Sequence, residues 1–333
     1  MNNNIQPRHR IDLLVKLGRY MESNDLMWMD AQDRVVHANA WFTPEHVSLA
    51  VDNIVNEYLQ EDKLEEWVAK YTLPESVKKV GIVMAGNIPL VGFHDLLCGF
   101  VSGHSLLIKL SSKDDILIKH LIGKLTEWEP EVGNQVVIAE RLNDCDAYIA
   151  TGSNNTARYF EQYFGKYPHI IRKNRTSVAI LDGTETDNEL DLLADDVYMY
   201  YGLGCRNVTQ VFVPKDFDFA RLLRVFNKHN NYADLNKYKN NYDYHLAIYL
   251  LNRIPYMSNE SLLLVENELH FSAVSVLHYK YYDDKEQLIN KLTHNDEIQA
   301  IIGKGFVPFG TSQQPALSDY ADGVDTMAFL CGL

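Results

Sequence analysis

Tyr200-Tyr201-Gly202-Leu203-Gly204-Cys205-Arg206-Asn207-Val208-Thr209-Gln210-Val211-Phe212-Val213-Pro214 sets one cysteine between a glycine-hinged turn and a short β-branched run. Glycine reaches backbone angles that other residues avoid and leaves room beside the chain for a substrate. A thiol held in such a turn, among exposed backbone N–H groups, is a candidate nucleophile. Taken alone, the stretch favours the opposite reading, because most cysteines are small buried hydrophobes. The run after the turn reads as a strand, and Glu189 to Tyr201 before it reads as a helix.

Outward from this junction the alternation repeats. Lys78 to Met84 is a short β-branched run, followed by the loop Ala85-Gly86-Asn87-Ile88-Pro89 and a helical segment through Val101. Ser105 to Leu110 reads as a strand and Asp114 to Trp128 as a helix. Val136-Val137-Ile138, Ala147-Tyr148-Ile149-Ala150 and Ser177 to Leu181 are further strands. Phe219 to His229 and Asp284 to His294 read as covering helices, and Asn230 to Tyr249 as a solvated loop with a Tyr-bearing helix. The first ~75 residues carry apolar positions at helical spacing. Thr43-Pro44-Glu45 supplies a cap and first-turn proline for one of those helices. The whole predicts an α/β protein with a largely parallel sheet.

A length of 333 residues suggests about two domains. The hydrophobic share of 46% and charged share of 23% are those of a soluble globular chain. A formal net charge of -14 argues against a nucleic-acid partner, which needs a basic surface. A local basic pocket for a phosphorylated cofactor remains compatible with it. Cys98, Cys145, Cys205 and Cys331 are scattered without metal-ligand spacing, as expected of thiols in a reducing cytosol. Met1 to Asp12 holds no apolar core segment, and no apolar run approaches the ~20 residues of a membrane span. The expectation is a cytoplasmic protein.

Four motifs occur in an informative order: Gly86-Asn87-Ile88-Pro89-Leu90 after one strand, Leu107-Ile108-Lys109-Leu110-Ser111-Ser112 ending the next, Ala150-Thr151-Gly152-Ser153 after a third, and then the Cys205 loop. Glu266-Asn267-Glu268-Leu269-His270-Phe271-Ser272 and Phe306-Val307-Pro308-Phe309-Gly310 follow. From about Val80 to about Phe309 this succession resembles the aldehyde dehydrogenase superfamily, and within it the LuxC-like acyl-CoA reductases. The resemblance implies an aldehyde-dehydrogenase-like fold with the active site in a cleft. Residues 1–176 would form the N-terminal helices and a Rossmann-type cofactor domain, to which a segment of about 311–333 returns. Residues 177–310 would form an α/β catalytic domain.

It implies Cys205 as nucleophile, with the Asn87 amide and the Cys205 backbone N–H as oxyanion donors. Lys109 would hydrogen-bond the adenosine ribose of a nicotinamide cofactor, with Ser112 beside it. Gly152 and Ser153 would meet the pyrophosphate at a strand-to-helix turn, and Glu268 and Phe271 the nicotinamide ribose. Each has a plainer reading: an Asx turn for Asn87, a solvated strand end for Lys109, a turn signal for Thr151-Gly152-Ser153, a strand-end carboxylate and a core aromatic for the last pair. NAD-preferring dehydrogenases often set an acidic residue against the ribose. Ser112, followed by Lys113, offers no such repulsion to a 2′-phosphate, which favours NADPH, with NADH possible.

Aldehyde-oxidising members carry a glutamate that activates water, and Arg172 stands at or near that position. Without a general base, water attack on a thioacyl enzyme is slow. The expected reaction is therefore reduction of an acyl-CoA, a fatty acyl thioester in the first instance, to the aldehyde. Semialdehyde or acyl-phosphate chemistry on the same fold, or an inert scaffold, are the alternatives. Arg172, Lys173 and Arg175 read as a solvated strand edge or as phosphate contacts. His94, His104, His169 and His245 are candidates to protonate the departing thiolate. A homo-oligomer is compatible with the resemblance.

Overall fold

The computed structural model describes residues 5–333. The chain forms two compact units, one running to Asn174 and resumed at Pro315–Leu333, the other spanning Arg175–Gln314.

Helices α1 (Pro7–Met21), α2 (Leu26–Ala38), α3 (Pro44–Tyr58) and α4 (Glu61–Val68) open the first unit. Asp25 caps α2 by accepting the Met27 and Trp28 N–H groups, and Thr43 caps α3 ahead of its first-turn proline. Leu14, Leu17, Trp28, Val35, Val47 and Val55 lie on their inner faces and are buried. They join a core shared with β1 (Lys79–Val83), α5 (Phe93–Ser102), β2 (Ser105–Lys109), α6 (Ile116–Trp128), α7 (Val132–Gln135), β3 (Val136–Ile138), β4 (Ala147–Thr151) and β5 (His169–Arg172). Helix α8 (Asn154–Phe164) packs on β4 and β5. The five strands are parallel in the order β3-β2-β1-β4-β5. Strand order reverses between β1 and β4, and ligands of such sheets bind outside the carboxyl ends at that switch point.

Residues 315–333 close this unit with a terminal helix, Thr326–Cys331, packed on α5. The Tyr320 hydroxyl accepts from Trp67 Nε1 at 2.8 Å and pairs with the Tyr71 hydroxyl at 2.7 Å. Met327 and Leu330 are fully buried.

The second unit contains β6 (Thr176–Ile180), α9 (Asp187–Tyr198), β7 (Val208–Val213), α10 (Phe219–Phe226), α11 (Asn236–Asn252), β8 (Met257–Ser258), β9 (Leu263–Glu266), β10 (Val276–Tyr281), α12 (Lys285–Thr293) and β11 (Ile298–Ile302). Its sheet order is β11-β6-β7-β10-β9-β8, parallel except for the short edge strand β8. The central strands β6 and β7 are buried on both faces, as strands covered by helices must be.

Two expectations change. The helix before Cys205 stops at Tyr198, because Tyr200 and Tyr201 turn left-handed at φ 53° and 58°. The Tyr-bearing helix expected within 230–249 is present from Asn236 to Asn252, with Tyr238 and Tyr242 buried on its inner side, but the expected loop before it is a 3-10 turn over Asn227–Asp234. Among the described residues no helix is long and apolar enough to cross a membrane.

Candidate active site

The turn that carries Cys205 is built from α9 towards β7. Tyr200, Tyr201 and Gly202 (φ 74°) are left-handed in succession, a conformation that costs a non-glycine residue about 1–2 kcal/mol. Aromatic packing holds them there. The Tyr201 ring lies 4.7 Å from Tyr232 and 5.7 Å from Tyr238, centroid to centroid. Tyr198, at the helix end, stacks on His229 and hydrogen-bonds Ser261 at 2.8 Å.

Asn207, fully buried, locks the turn from inside. Its Oδ1 accepts the Gly204 N–H at 2.8 Å, and its Nδ2 donates to the carbonyls of Met199 at 2.8 Å and Asp196 at 3.2 Å. The Asp196 carboxylate in turn accepts the N–H groups of Gly310 (2.7 Å) and Ser312 (3.0 Å), tying the Phe306-to-Gly310 motif to the same turn. Ser177, on β6, donates to the Cys205 carbonyl at 3.1 Å. The thiol itself is half-buried. A cavity of about 20 Å³, room for one water, lies beside the turn, lined in part by Tyr201, Gly202, Val208 and Ala273.

The other three thiols sit in surroundings that oppose ionisation. Burial pushes the thiols of Cys98, Cys145 and Cys331 up, that of Cys98 well above its ordinary value, so each holds its proton more tightly than an open thiol.

Glu268 and Phe271 lie on the segment between β9 and β10. Because these strands are parallel, the chain must return along the sheet before β10 begins. Gln210, fully buried on β7, clamps that return: its Nε2 donates to the Asn267 carbonyl at 2.8 Å, and its Oε1 accepts from His270 Nδ1 at 2.7 Å. Thr209, four residues past Cys205, donates to the His270 carbonyl at 2.6 Å. The clamp leaves Phe271 half-buried. Glu268 is exposed and paired with Lys280, which holds its carboxyl below the usual range. Sequence reasoning passed over Gln210, although a glutamine inside an apolar strand was a visible signal.

In the first unit, Lys109 ends β2, and Asn87, Ser112, Gly152 and Ser153 follow the carboxyl ends of β1, β2 and β4. Asn87, Lys109 and Ser112 are exposed. Gly86 brings the first two loops together: a Cβ there would stand 2.5 Å from Ser111 Oγ and 2.7 Å from Ser111 Cβ. Ser153 caps α8 through its Oγ, accepting the Thr156 N–H at 3.3 Å. The N-terminus of α8 thus opens beside the switch point, where its N–H groups and dipole favour an anion.

Arg172 is neither a solvated edge nor a phosphate contact. It ends β5 with its side chain only 5% exposed, donating to Asp95 at 2.6 Å and to Thr326 at 2.7 Å. Burial works against its charge, but Asp95 holds the guanidinium above its ordinary value. Lys173 is exposed, and Arg175 donates to the Ile298 carbonyl. Three of the four candidate histidines are also committed: His94, His104 and His169 hydrogen-bond the carbonyls of Leu317, Leu330 and Tyr167. His245 is partly buried, which lowers its pKa.

A family model described as acyl-CoA reductase (LuxC) matches residues 24–224. No curated protein matches the chain by sequence. Among solved structures, an aldehyde dehydrogenase from Bacillus cereus superposes with a TM-score of 0.66 at 13% identity, over 90% of this chain and 72% of that one. An aldehyde dehydrogenase from Physcomitrella patens, in complex with the reaction product succinate, gives 0.66 at 12%, over 90% and 74%. One from Mycobacterium tuberculosis, complexed with NAD+, gives 0.61 at 14%, over 85% and 70%. The fold is that of the aldehyde dehydrogenases.

Proposed function

The chain belongs to the acyl-CoA reductase (LuxC) family, and from that premise we propose that it reduces a fatty acyl-CoA to the aldehyde with NADPH, through a thioacyl intermediate on Cys205. It is an oxidoreductase acting on acyl or aldehyde groups. The observation that carries the finer reading is the Cys205 turn: a half-buried thiol in a backbone fixed by Asn207, while burial disfavours ionisation of the other three thiols.

The donor set of the first unit fits a dinucleotide. Lys109 and Ser112 would hold the adenosine ribose, and Gly152, Ser153 and the first N–H groups of α8 the pyrophosphate. Glu268 and Phe271, in the second unit, would contact the nicotinamide ribose. Ser112 carries no charge and Lys113 follows it, so a 2′-phosphate meets no carboxylate there. When bound, the nicotinamide supplies hydride to the thioacyl carbonyl carbon.

The rest belongs to the chain. The Cys205 thiolate attacks the thioester carbonyl, and the Asn87 amide and the Cys205 N–H stabilise the oxyanion. Collapse breaks the bond to CoA sulfur, which departs as thiolate and takes a proton. After reduction, the hemithioacetal collapses, releasing aldehyde and returning the thiolate. Water competes poorly for the thioacyl group, because Arg172, locked to Asp95, can serve no water as base.

Intact mass spectrometry after exposure to acyl-CoA without NADPH tests the proposal. An acyl adduct on the wild type, missing in Cys205→Ala, and NADPH oxidation by acyl-CoA are expected. Turnover of acyl phosphate or free aldehyde but not of CoA esters would move the chain to the semialdehyde reading. Cofactor binding with a thiol inert to iodoacetamide would make it a scaffold.

A further inference from the structure

Asp114, on the turn between β2 and α6, is 3% exposed and takes no part in the mechanism above. Its carboxylate accepts the backbone N–H groups of Leu90 and Val91, in the loop that presents Asn87. Leu90 is itself buried and left-handed, at φ 57°. A leucine does not hold that conformation unaided. The two loops are in contact here, with Asp114 Cβ 3.2 Å from where a Gly86 Cβ would stand. Asp114 Oδ1 is buried without a hydrogen-bond partner, so both N–H groups fall to the other oxygen.

We propose that Asp114 is a positioning residue: its carboxylate grips the Leu90 and Val91 N–H groups and so fixes how the Asn87 loop presents its amide. The inference rests on the reading of Asn87 as an oxyanion donor. The grip depends on charge, since hydrogen bonds to an ionised acceptor are roughly twice as strong as neutral ones. Burial pushes the carboxyl up to about 7; the Leu90 N–H opposes that rise, the Asp115 charge adds to it, and the Val91 N–H opposes it. Residues 85–91 carry no titratable side chain, and Lys113, adjacent in the chain, is exposed. The loop therefore loosens as pH falls through neutrality.

The test compares two rates on the full chain between about pH 6 and about pH 8. One is acyl transfer from octanoyl-CoA to Cys205, followed by intact mass. The other is alkylation by iodoacetamide, which reports thiolate alone. Their ratio removes the ionisation of the thiol. In the wild type it should fall about three- to tenfold towards the acid end; in Asp114→Asn it should stay level, apart from the CoA titration common to both. Asp114→Ser, which keeps an acceptor without charge, serves if the amide variant does not fold. A level wild-type ratio, or the same inflection in both proteins, overturns the inference. Alkylation without any acyl adduct at any pH removes the acyl-CoA reading and this inference with it, whereas an adduct with an unchanged profile removes the inference alone.

Discussion

Arg172 shows how far a single residue can depart from its local context. Among Lys173 and Arg175 it reads as part of a basic edge, yet its partner Asp95 lies 77 positions upstream and Thr326 lies 154 downstream. No local pattern joins the three; only the sheet that sets β5 near α5 and the terminal helix does. A buried pair adds little net stability, but losing one partner leaves a charge stranded. Arg172→Met should cost about 3–5 kcal/mol in denaturant unfolding. Asp95→Leu with Arg172→Met should recover most of it, and a double variant as unstable as the single one would contradict this account. Cys205 was legible for the opposite reason: its glycines, its asparagine and the strand after it are neighbours in sequence, and the Asn207 hydrogen bonds that lock the turn from inside are all local.

At the scale of elements, the loops after β1, β2 and β4 were legible because each follows its own strand, and a parallel sheet delivers such loops to one edge. Helix ends were harder. The apolar spacing of α9 runs on through Tyr201, but Tyr232 and Tyr238 draw that ring into their cluster, and the backbone leaves the helix at Tyr198 to allow it. The two- to four-residue strands β5, β8 and β9 were too short for periodicity to separate from loop. Gly86 gives a test of how closely the first two loops must approach. Gly86→Ala drives a methyl group into Ser111 and should weaken NADPH binding by about tenfold, or roughly 1.4 kcal/mol, read by fluorescence titration. Ser111→Gly in the same chain removes both clashing atoms and should restore binding. If the double variant binds no better than Gly86→Ala, loop contact is not what Gly86 provides.

For the whole molecule, the two units differ in continuity. Residues 175–314 form one uninterrupted stretch, whereas the first unit is split and needs residues 315–333. That segment supplies Met327 and Leu330 to the core and Tyr320 to Trp67 and Tyr71. A 175–314 fragment should therefore unfold cooperatively by itself in thermal melts followed by circular dichroism. A fragment ending at 174 should not, until a 315–333 peptide is added. Equally sharp melting with and without the peptide would show that the segment is dispensable. The interruption also reverses an order in time. On the ribosome the first unit is begun first and completed last, since 159 residues separate Asn174 from Leu333. At ~5–20 residues per second that is on the order of ten seconds or more. Through that interval α5 lacks its covering helix and Arg172 lacks Thr326, so the nascent chain carries an open apolar face. Binding by a holdase chaperone should be strongest then, and should end when the final turn of helix emerges.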